Sequence, residues 1–271
     1  MGKPVSPRCS RSRPRFDRYR HGHIDSESGC DESLILNPPV IDMSGPATLK
    51  PLFVLPLNLD VTQARNFQAE LSERLIFAPL NHVSTVAGLD ACYRQDTAWG
   101  AAILTDAQGS RINSAVLGPI PCPFPYIPGF LTFREAPVIS QALCRLECIP
   151  DCLILDGHGI FHPRYCGLAS VLGLLFDVPS VGCAKSPLRA TWVQPGPNRG
   201  DWTPVRMNGR LVGATVRTRD QVKPVWVSPG HRCDLESAVR LVLQLSRTRL
   251  PEPLRLADQA VSLAAAAKAS V

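Results

Sequence analysis

The fold class this sequence predicts is α/β: one mixed sheet, an antiparallel meander extended by βα units, flanked by helices. Three observations predict it. Strand-type stretches at 83–90, 99–105 and 111–117 follow one another with only polar turns between them, such as Gln108-Gly109-Ser110, and that spacing suits antiparallel hairpins. Apolar runs at 151–156 and Ser180–Ala184 then alternate with helix-type segments, the pattern of strands buried on both faces. The chain has 271 residues, 45% hydrophobic and 19% charged, enough to bury a core in one globular domain.

The elements follow in order. Residues 61, 64, 67, 71 and 75 are spaced as one face of an amphipathic helix, with Asp60 as its N-cap. After the three meander strands and the Pro-rich stretch 119–128, Ile139, Leu143 and Leu146 predict a helix over 134–148. The 151–156 run predicts a buried strand. Pro163 is placed to start the next helix, which carries Leu168, Leu172 and Leu175. The strand Ser180–Ala184 follows, then strands near 210–217 and 224–227, and a helix over 234–245.

Residues 1–48 stand apart. They mix Arg, Ser, Pro, Gly and His, show no amphipathic period and read as a disordered basic and polar extension ahead of a domain at 49–271. Residues 1–24 hold seven basic side chains and one acidic one, which equals the whole chain's net charge of +6, so the remainder is balanced. Two readings stand for this extension: a nucleic-acid-binding arm, or translation starting downstream at Met43.

Several classes are disfavoured. No apolar run approaches the roughly 20 residues of a membrane span, and the N-terminal stretch lacks the apolar centre of a secretory signal, so a soluble cytoplasmic protein without a membrane partner is expected. The ten cysteines are scattered, several inside predicted strands and helices, and are expected as reduced thiols. Cys144, Cys148 and Cys152 lack the Cys-x-x-Cys pairing usual for zinc. Lys185-Ser186 follows Ala184 rather than Gly, against a phosphate-binding loop, and no Gly-x-Ser-x-Gly occurs for a hydrolase triad.

The chemistry concentrates in acids at strand ends. Asp90 and Asp156 each close an apolar run, and ligands collect at the carboxyl ends of strands in open α/β sheets. Joined by Glu135 from a helix start, they would form an oxygen-lined site suited to Mg²⁺ and a phosphate ester. The loop Asp156-Gly157-His158-Gly159-Ile160-Phe161-His162-Pro163-Arg164 admits a zinc site from its two histidines or phosphate handling by His162 and Arg164. Zinc is disfavoured because Gly159 stands where a His-Glu-x-x-His helix needs its glutamate. Lys185, past a strand end, can neutralise a scissile phosphate.

Two long motifs carry a family resemblance. Residues 125–135, Pro-Tyr-Ile-Pro-Gly-Phe-Leu-Thr-Phe-Arg-Glu, and residues 156–164 resemble the signatures of endonuclease V. Val86-Ala87-Gly88-Leu89-Asp90, Val181 to Ser186, Val227 to Arg232, and Leu250-Pro251-Glu252-Pro253 join them in the family's order, over about residues 60–262. The resemblance implies a ribonuclease H-like fold and a catalytic domain over 49–271. It implies Asp90, Glu135 and Asp156 as acids binding Mg²⁺, with Mn²⁺ as a substitute, and His162 and Lys185 supporting the phosphate and the attacking water.

Tyr126, Ile127, Pro128 and Gly129 correspond to the family's wedge beside an extruded base. Arg134 and Arg164 are expected to contact DNA, and His231 to play a subsidiary part. The implied reaction is a nick at the second phosphodiester bond 3′ to deoxyinosine in DNA, leaving a 3′-hydroxyl and a 5′-phosphate; a monomer is expected as the default. Inosine-specific cleavage of RNA and non-catalytic nucleic-acid binding are the alternatives. Val171 and Cys166 depart from the family's usual residues, and the N-terminal extension has no counterpart, which bears on substrate breadth and DNA contacts.

Overall fold

The computed structural model describes residues 49–267; the extension expected over 1–48 lies outside the described residues. Helix α1, Val61–Glu73, begins where expected. Asp60 caps it, accepting from the backbone N–H groups of Thr62 at 2.7 Å and Gln63 at 2.8 Å, while Gln63 Oε1 accepts from Asp60 N–H at 2.9 Å. That reciprocal box satisfies donors the helix would otherwise leave open.

The meander is β1 (Thr85–Arg94), β2 (Thr97–Asp106) and β3 (Arg111–Pro121), paired antiparallel. Helix α2 (Leu131–Leu143), β4 (Cys152–Leu155), α3 (Leu168–Phe176) and β5 (Ser180–Ala184) then supply the βα part, with β4 parallel to both β1 and β5. Strands β6 (Trp202–Met207), β7 (Arg210–Val216) and β8 (Val225–Pro229) add an antiparallel wing, and α4 (Leu235–Leu245) and α5 (Glu252–Ala267) close the chain. One eight-stranded sheet results, in the order β3-β2-β1-β4-β5-β8-β7-β6.

Side-chain alternation sorts the core into two layers. Ala87 and Leu89 of β1, with Leu153 and Leu155 of β4, pack against α2 and α3. Val86, Cys152 and Ile154 point the other way, toward α4 and the start of α5. A fully buried leucine in either layer contributes about 1.5–3 kcal/mol by leaving water. Gly88, on the α5 side, lets the backbone of Pro253 come so near that a Cβ would lie 2.2 Å from it, and so sets the seat of α5 on the sheet.

The sequence expectations need five corrections. β1 runs on to Arg94, so Asp90 lies mid-strand rather than at its end. α2 covers Leu131–Leu143, not 134–148, because Arg145 and Leu146 bond three residues back, tightening the turn and burying Leu146. Pro163 starts no helix: Tyr165 takes a φ of 55°, its N–H bonds the His162 carbonyl at 2.8 Å, and α3 begins only at Leu168. β6 was not foreseen, since Pro204 interrupts it; proline is tolerated there because β6 is an edge strand. α5 was not foreseen either, although Pro253 sits in a first turn, where the missing N–H costs little.

No helix among the described residues is long and apolar enough to cross a membrane. Cys92, Cys122, Cys144, Cys152, Cys166, Cys183 and Cys233 are free thiols.

Candidate active site

Asp90 and Asp156 meet through strand register. Leu89 pairs with Leu155, and the Asp156 N–H bonds the Leu89 carbonyl at 3.2 Å, so the two aspartates are lateral neighbours where β4 ends and β1 continues. On β1 the parity that sends Leu89 toward α2 sends Asp90 toward α5. Helix α5 contributes Asp258, and ligand oxygens of Asp90, Asp156 and Asp258 lie within 4.8 Å of one another.

Lys185, immediately past β5, bridges this cluster: its Nζ is 2.6 Å from Asp156 Oδ2 and 2.8 Å from Asp258 Oδ1. Burial disfavours the ammonium, but hydrogen bonds and charge from these two aspartates outweigh it and raise the lysine pKa above its usual value. Among the described residues Asp90 has only the Ala91 N–H at 2.9 Å as a hydrogen-bond partner, and burial together with the charge of Asp156 pushes its pKa up to about 7. Negative charge is thus concentrated on hard oxygen donors, the donor set that divalent cations such as Mg²⁺ prefer. The residues present fit such an ion.

Glu135 comes from the opposite helix layer. It is 7% exposed in the second turn of α2 and accepts a hydrogen bond from the hydroxyl of Tyr93, which follows Leu89 and Ala91 on the α2 side of β1. Burial raises its pKa to about 8, opposed by the Tyr93 hydrogen bond and reinforced by the charges of Asp90 and Asp156. It therefore senses the aspartates electrostatically while standing outside the set of three. Arg134 braces this region: Nη1 donates to the Phe124 carbonyl at 3.0 Å, and its guanidinium lies 4.6 Å from the Tyr93 ring centre.

The loop from Asp156 to Gly167 folds back across the sheet. Gly159 donates to Ser228 Oγ at 2.8 Å and Ile160 to the Pro229 carbonyl at 2.8 Å, and a Cβ at Gly182 would lie 2.5 Å from the Gly159 nitrogen. This seat holds His162 and Arg164 against the turn before α2. His162 Nε2 lies 3.0 Å from the Gly129 carbonyl, and Nδ1 accepts from the Arg164 N–H at 3.3 Å, which assigns the proton to Nε2. Burial, with the Arg164 charge, lowers its pKa to about 4.

Arg164 donates to the same Gly129 carbonyl and, through Nε, to Gln68 Oε1 at 2.8 Å; its guanidinium lies 4.2 Å from the Phe130 ring centre. Gly129 has a φ of 85°, a conformation that favours glycine. Beside it Tyr126 is 70% exposed, the largest apolar surface on this turn, with Pro128 exposed and Ile127 partly buried.

The structure thus brings Asp90, Asp156 and Lys185 together, and Tyr126, Ile127, Pro128, Gly129, His162 and Arg164 into a neighbouring group. His158 and His162 do not form a metal pair: His158 packs edge-on against Phe161, and both His162 ring nitrogens are engaged. His231 is elsewhere. Its N–H bonds Ser180 Oγ at 2.9 Å and its Nε2 lies 3.2 Å from Asp177, so it sits beside the first residue of β5, about 16 Å along the strand from Lys185. Asp258 is the residue that sequence reasoning missed; its signal was the helix after Pro253, unrecognised in an alanine-rich C-terminus.

Comparison with known proteins agrees with this geometry. The family model for endonuclease V matches residues 68–259. Endonuclease V of Roseiflexus sp. (strain RS-1) is 44% identical over 212 residues, 78% of this chain and 96% of its own length. The crystal structure of endonuclease V from Streptomyces avermitilis superposes with a TM-score of 0.75 at 36% identity, covering 83% of this chain and 100% of that one. Endonuclease V of Ciona intestinalis, solved in complex with a 24mer DNA containing an inosine followed by a ribo-adenosine, has a TM-score of 0.65 at 25% identity, covering 74% of this chain and 96% of that one. The expected ribonuclease H-like mixed sheet is the fold observed. With that match spanning most of the chain and the acids gathered at one end of the sheet, the chain belongs to the endonuclease V family and is an endonuclease, a hydrolase of phosphodiester bonds.

Proposed function

We propose that the protein is a Mg²⁺-dependent DNA repair endonuclease that nicks DNA at the second phosphodiester bond 3′ to deoxyinosine and leaves a 3′-hydroxyl and a 5′-phosphate. The observation that carries this reading is the gathering of three aspartates and Lys185 at one end of the sheet, with the exposed Tyr126 turn held by His162 and Arg164 of the loop that follows Asp156. The inosine-containing DNA bound by the Ciona relative supports the substrate class.

Asp90, Asp156 and Asp258 would hold the ion, with Glu135 acting on the site electrostatically from the α2 side. When bound, Mg²⁺ supplies Lewis-acid polarisation of the phosphate and charge stabilisation at the departing 3′ oxygen. Lys185, released from one carboxylate, neutralises a non-bridging phosphate oxygen. His162 stays neutral near pH 7 and presents an imidazole whose Nε2–H holds the Gly129 carbonyl, fixing the turn that carries Tyr126. Tyr126 then stacks where the extruded base leaves the helix, and a deaminated base, pairing weakly, costs less to extrude.

A labelled duplex with one deoxyinosine, incubated with Mg²⁺ or with EDTA, tests the reading. A Mg²⁺-dependent cut at the second bond 3′ to the lesion is expected; cutting of inosine RNA with the DNA left intact would move the substrate to RNA. Tyr126→Ala should lower kcat/KM on this duplex about tenfold to a hundredfold, as loss of one base stack implies, and leave Mg²⁺ binding unchanged. Equal activity of the variant would remove the wedge from the mechanism.

Metal binding should depend on pH with a definite sign. With its pKa raised to about 7, folded Asp90 keeps a proton that the unfolded chain releases near pH 4. Its contribution to metal-free stability is therefore full below about pH 4 and lost as pH rises toward 7. Mg²⁺ must displace that proton, so the rise in Tm on adding Mg²⁺ should grow between pH 6 and pH 8, and most of that growth should vanish in Asp90→Asn. An increment equal at both pH values would contradict the coupling.

A further inference from the structure

Beyond Lys185, on the side of the sheet away from Tyr126, the surface opens into a cavity of about 400 Å³. Lys185, Arg217, Lys223 and Arg249 line it, and no acidic side chain does. Two of these cations are fixed in place by carbonyl groups. Arg217, 7% exposed, donates Nε to the Gly196 carbonyl at 2.9 Å, Nη2 to that of Pro195 at 3.1 Å, and Nη1 to that of Val222.

Arg249 donates Nε to the Lys223 carbonyl at 3.1 Å and Nη2 to those of Lys185 at 2.7 Å and Pro224 at 3.0 Å. Neither guanidinium has a carboxylate partner among the described residues, so their charge is fixed but not neutralised. A concave site with immobilised positive charge suits an anion bearing several acceptor oxygens.

Its position identifies the anion. Along the sheet, the Tyr126 turn leads into α2 over β3, β2 and β1; the aspartates lie at β1 and β4; Lys185 follows β5; and the cavity lies at the ends of β5, β8 and β7. A strand crossing these sites in sequence meets the turn, then the acids, then the cavity. We propose that the cavity binds a backbone phosphate of the nucleic-acid strand on the 3′ side of the cut, so that the enzyme grips the downstream product segment as well as the lesion. The direction rests on the reading that the Tyr126 side holds the lesion and the cut falls 3′ to it.

The test uses deoxyinosine duplexes in which single phosphates 3′ to the cut are replaced, one position at a time, by neutral methylphosphonate. Cleavage rate and affinity are compared between the wild-type protein and Lys223→Glu, a substitution at an exposed side chain. In the wild type, one or two adjacent positions should weaken binding about tenfold. At those positions the same replacement should cost Lys223→Glu less than threefold, and the salt slope of its binding should be shallower. Uniform sensitivity along the flank, or equal losses in the two proteins, overturns the proposal while leaving the proposed cleavage intact.

Competition by millimolar inorganic phosphate without any methylphosphonate effect would assign the cavity to a free anion and overturn it too. If wild-type protein cuts none of these duplexes, the proposed function fails instead, and the binding comparison alone decides the cavity.

Discussion

Replacing Asp156 by Asn should lower Mg²⁺-supported cleavage of a deoxyinosine duplex by about a thousandfold or more. The carboxylate is one of three oxygen donors within 4.8 Å of one another, and its Oδ2 is the nearer contact of Lys185 at 2.6 Å. The substitution removes a charge from a site that must attract a divalent ion and leaves Lys185 biased toward Asp258. A bound ion supplies several kcal/mol of transition-state stabilisation, and each 1.36 kcal/mol is a factor of about ten, so three orders of magnitude is a conservative expectation.

Two readouts separate this from misfolding. Because Asp156 is the principal charge raising the Asp90 pKa, its loss relieves like-charge repulsion, and the metal-free Tm should hold or rise. The Mg²⁺-induced gain in Tm should shrink. Single-turnover cleavage within about tenfold of wild type would exclude Asp156 from the metal site.

How much of this was legible in the sequence depends on which physical rule set each feature. β5 appears at the expected bounds because a fully buried strand is a continuous apolar run with little else to become. α1 and α4 start where expected because Asp60 and Asp234 accept backbone hydrogen bonds from the first turn. The misplacements arise where tertiary context prevails. Asp90 looked like a strand end because it closes an apolar run ahead of the polar turn containing Gln95-Asp96; in the fold, β1 and β2 project past β4 as a hairpin arm, so the aspartate is terminal only relative to β4.

The site shows the same division. Asp156 and Lys185 could be read because each follows a buried strand. Asp258 could not, since α5 pairs an alanine-rich sequence with a proline in its first turn and only the Gly88–Pro253 contact reveals where it sits. That Glu135 and Asp90 lie on opposite faces is a matter of strand and helix parity, which no one-dimensional motif records. His231 shares a motif with catalytic segments but packs at the far end of β5, on Asp177.

That dependence on Gly88 makes Gly88→Ala the second large expected effect. The added methyl would lie 2.2 Å from the Pro253 carbonyl carbon and oxygen and 2.6 Å from its Cβ. Two of these are backbone atoms, so the strain cannot be relieved by turning a side chain; α5 must move off the sheet by roughly an ångström, at a cost of about 1–3 kcal/mol. Five residues on, Asp258 moves with it, away from Asp90, Asp156 and Lys185.

Mg²⁺ tolerates little departure from its preferred geometry, and an ångström of misplacement costs on the order of a hundredfold in rate. Activity per folded molecule should therefore fall about a hundredfold, beyond anything the stability loss accounts for. Leu172→Ala is the control: Leu172 is fully buried in the layer on the other side of the sheet, and its truncation costs about 2–5 kcal/mol without touching α5. At a temperature where both variants are folded, Leu172→Ala should cleave at close to the wild-type rate and Gly88→Ala should not. If the two lose activity in step with Tm, the α5 seat acts on stability alone, and Asp258 has no place in the chemistry.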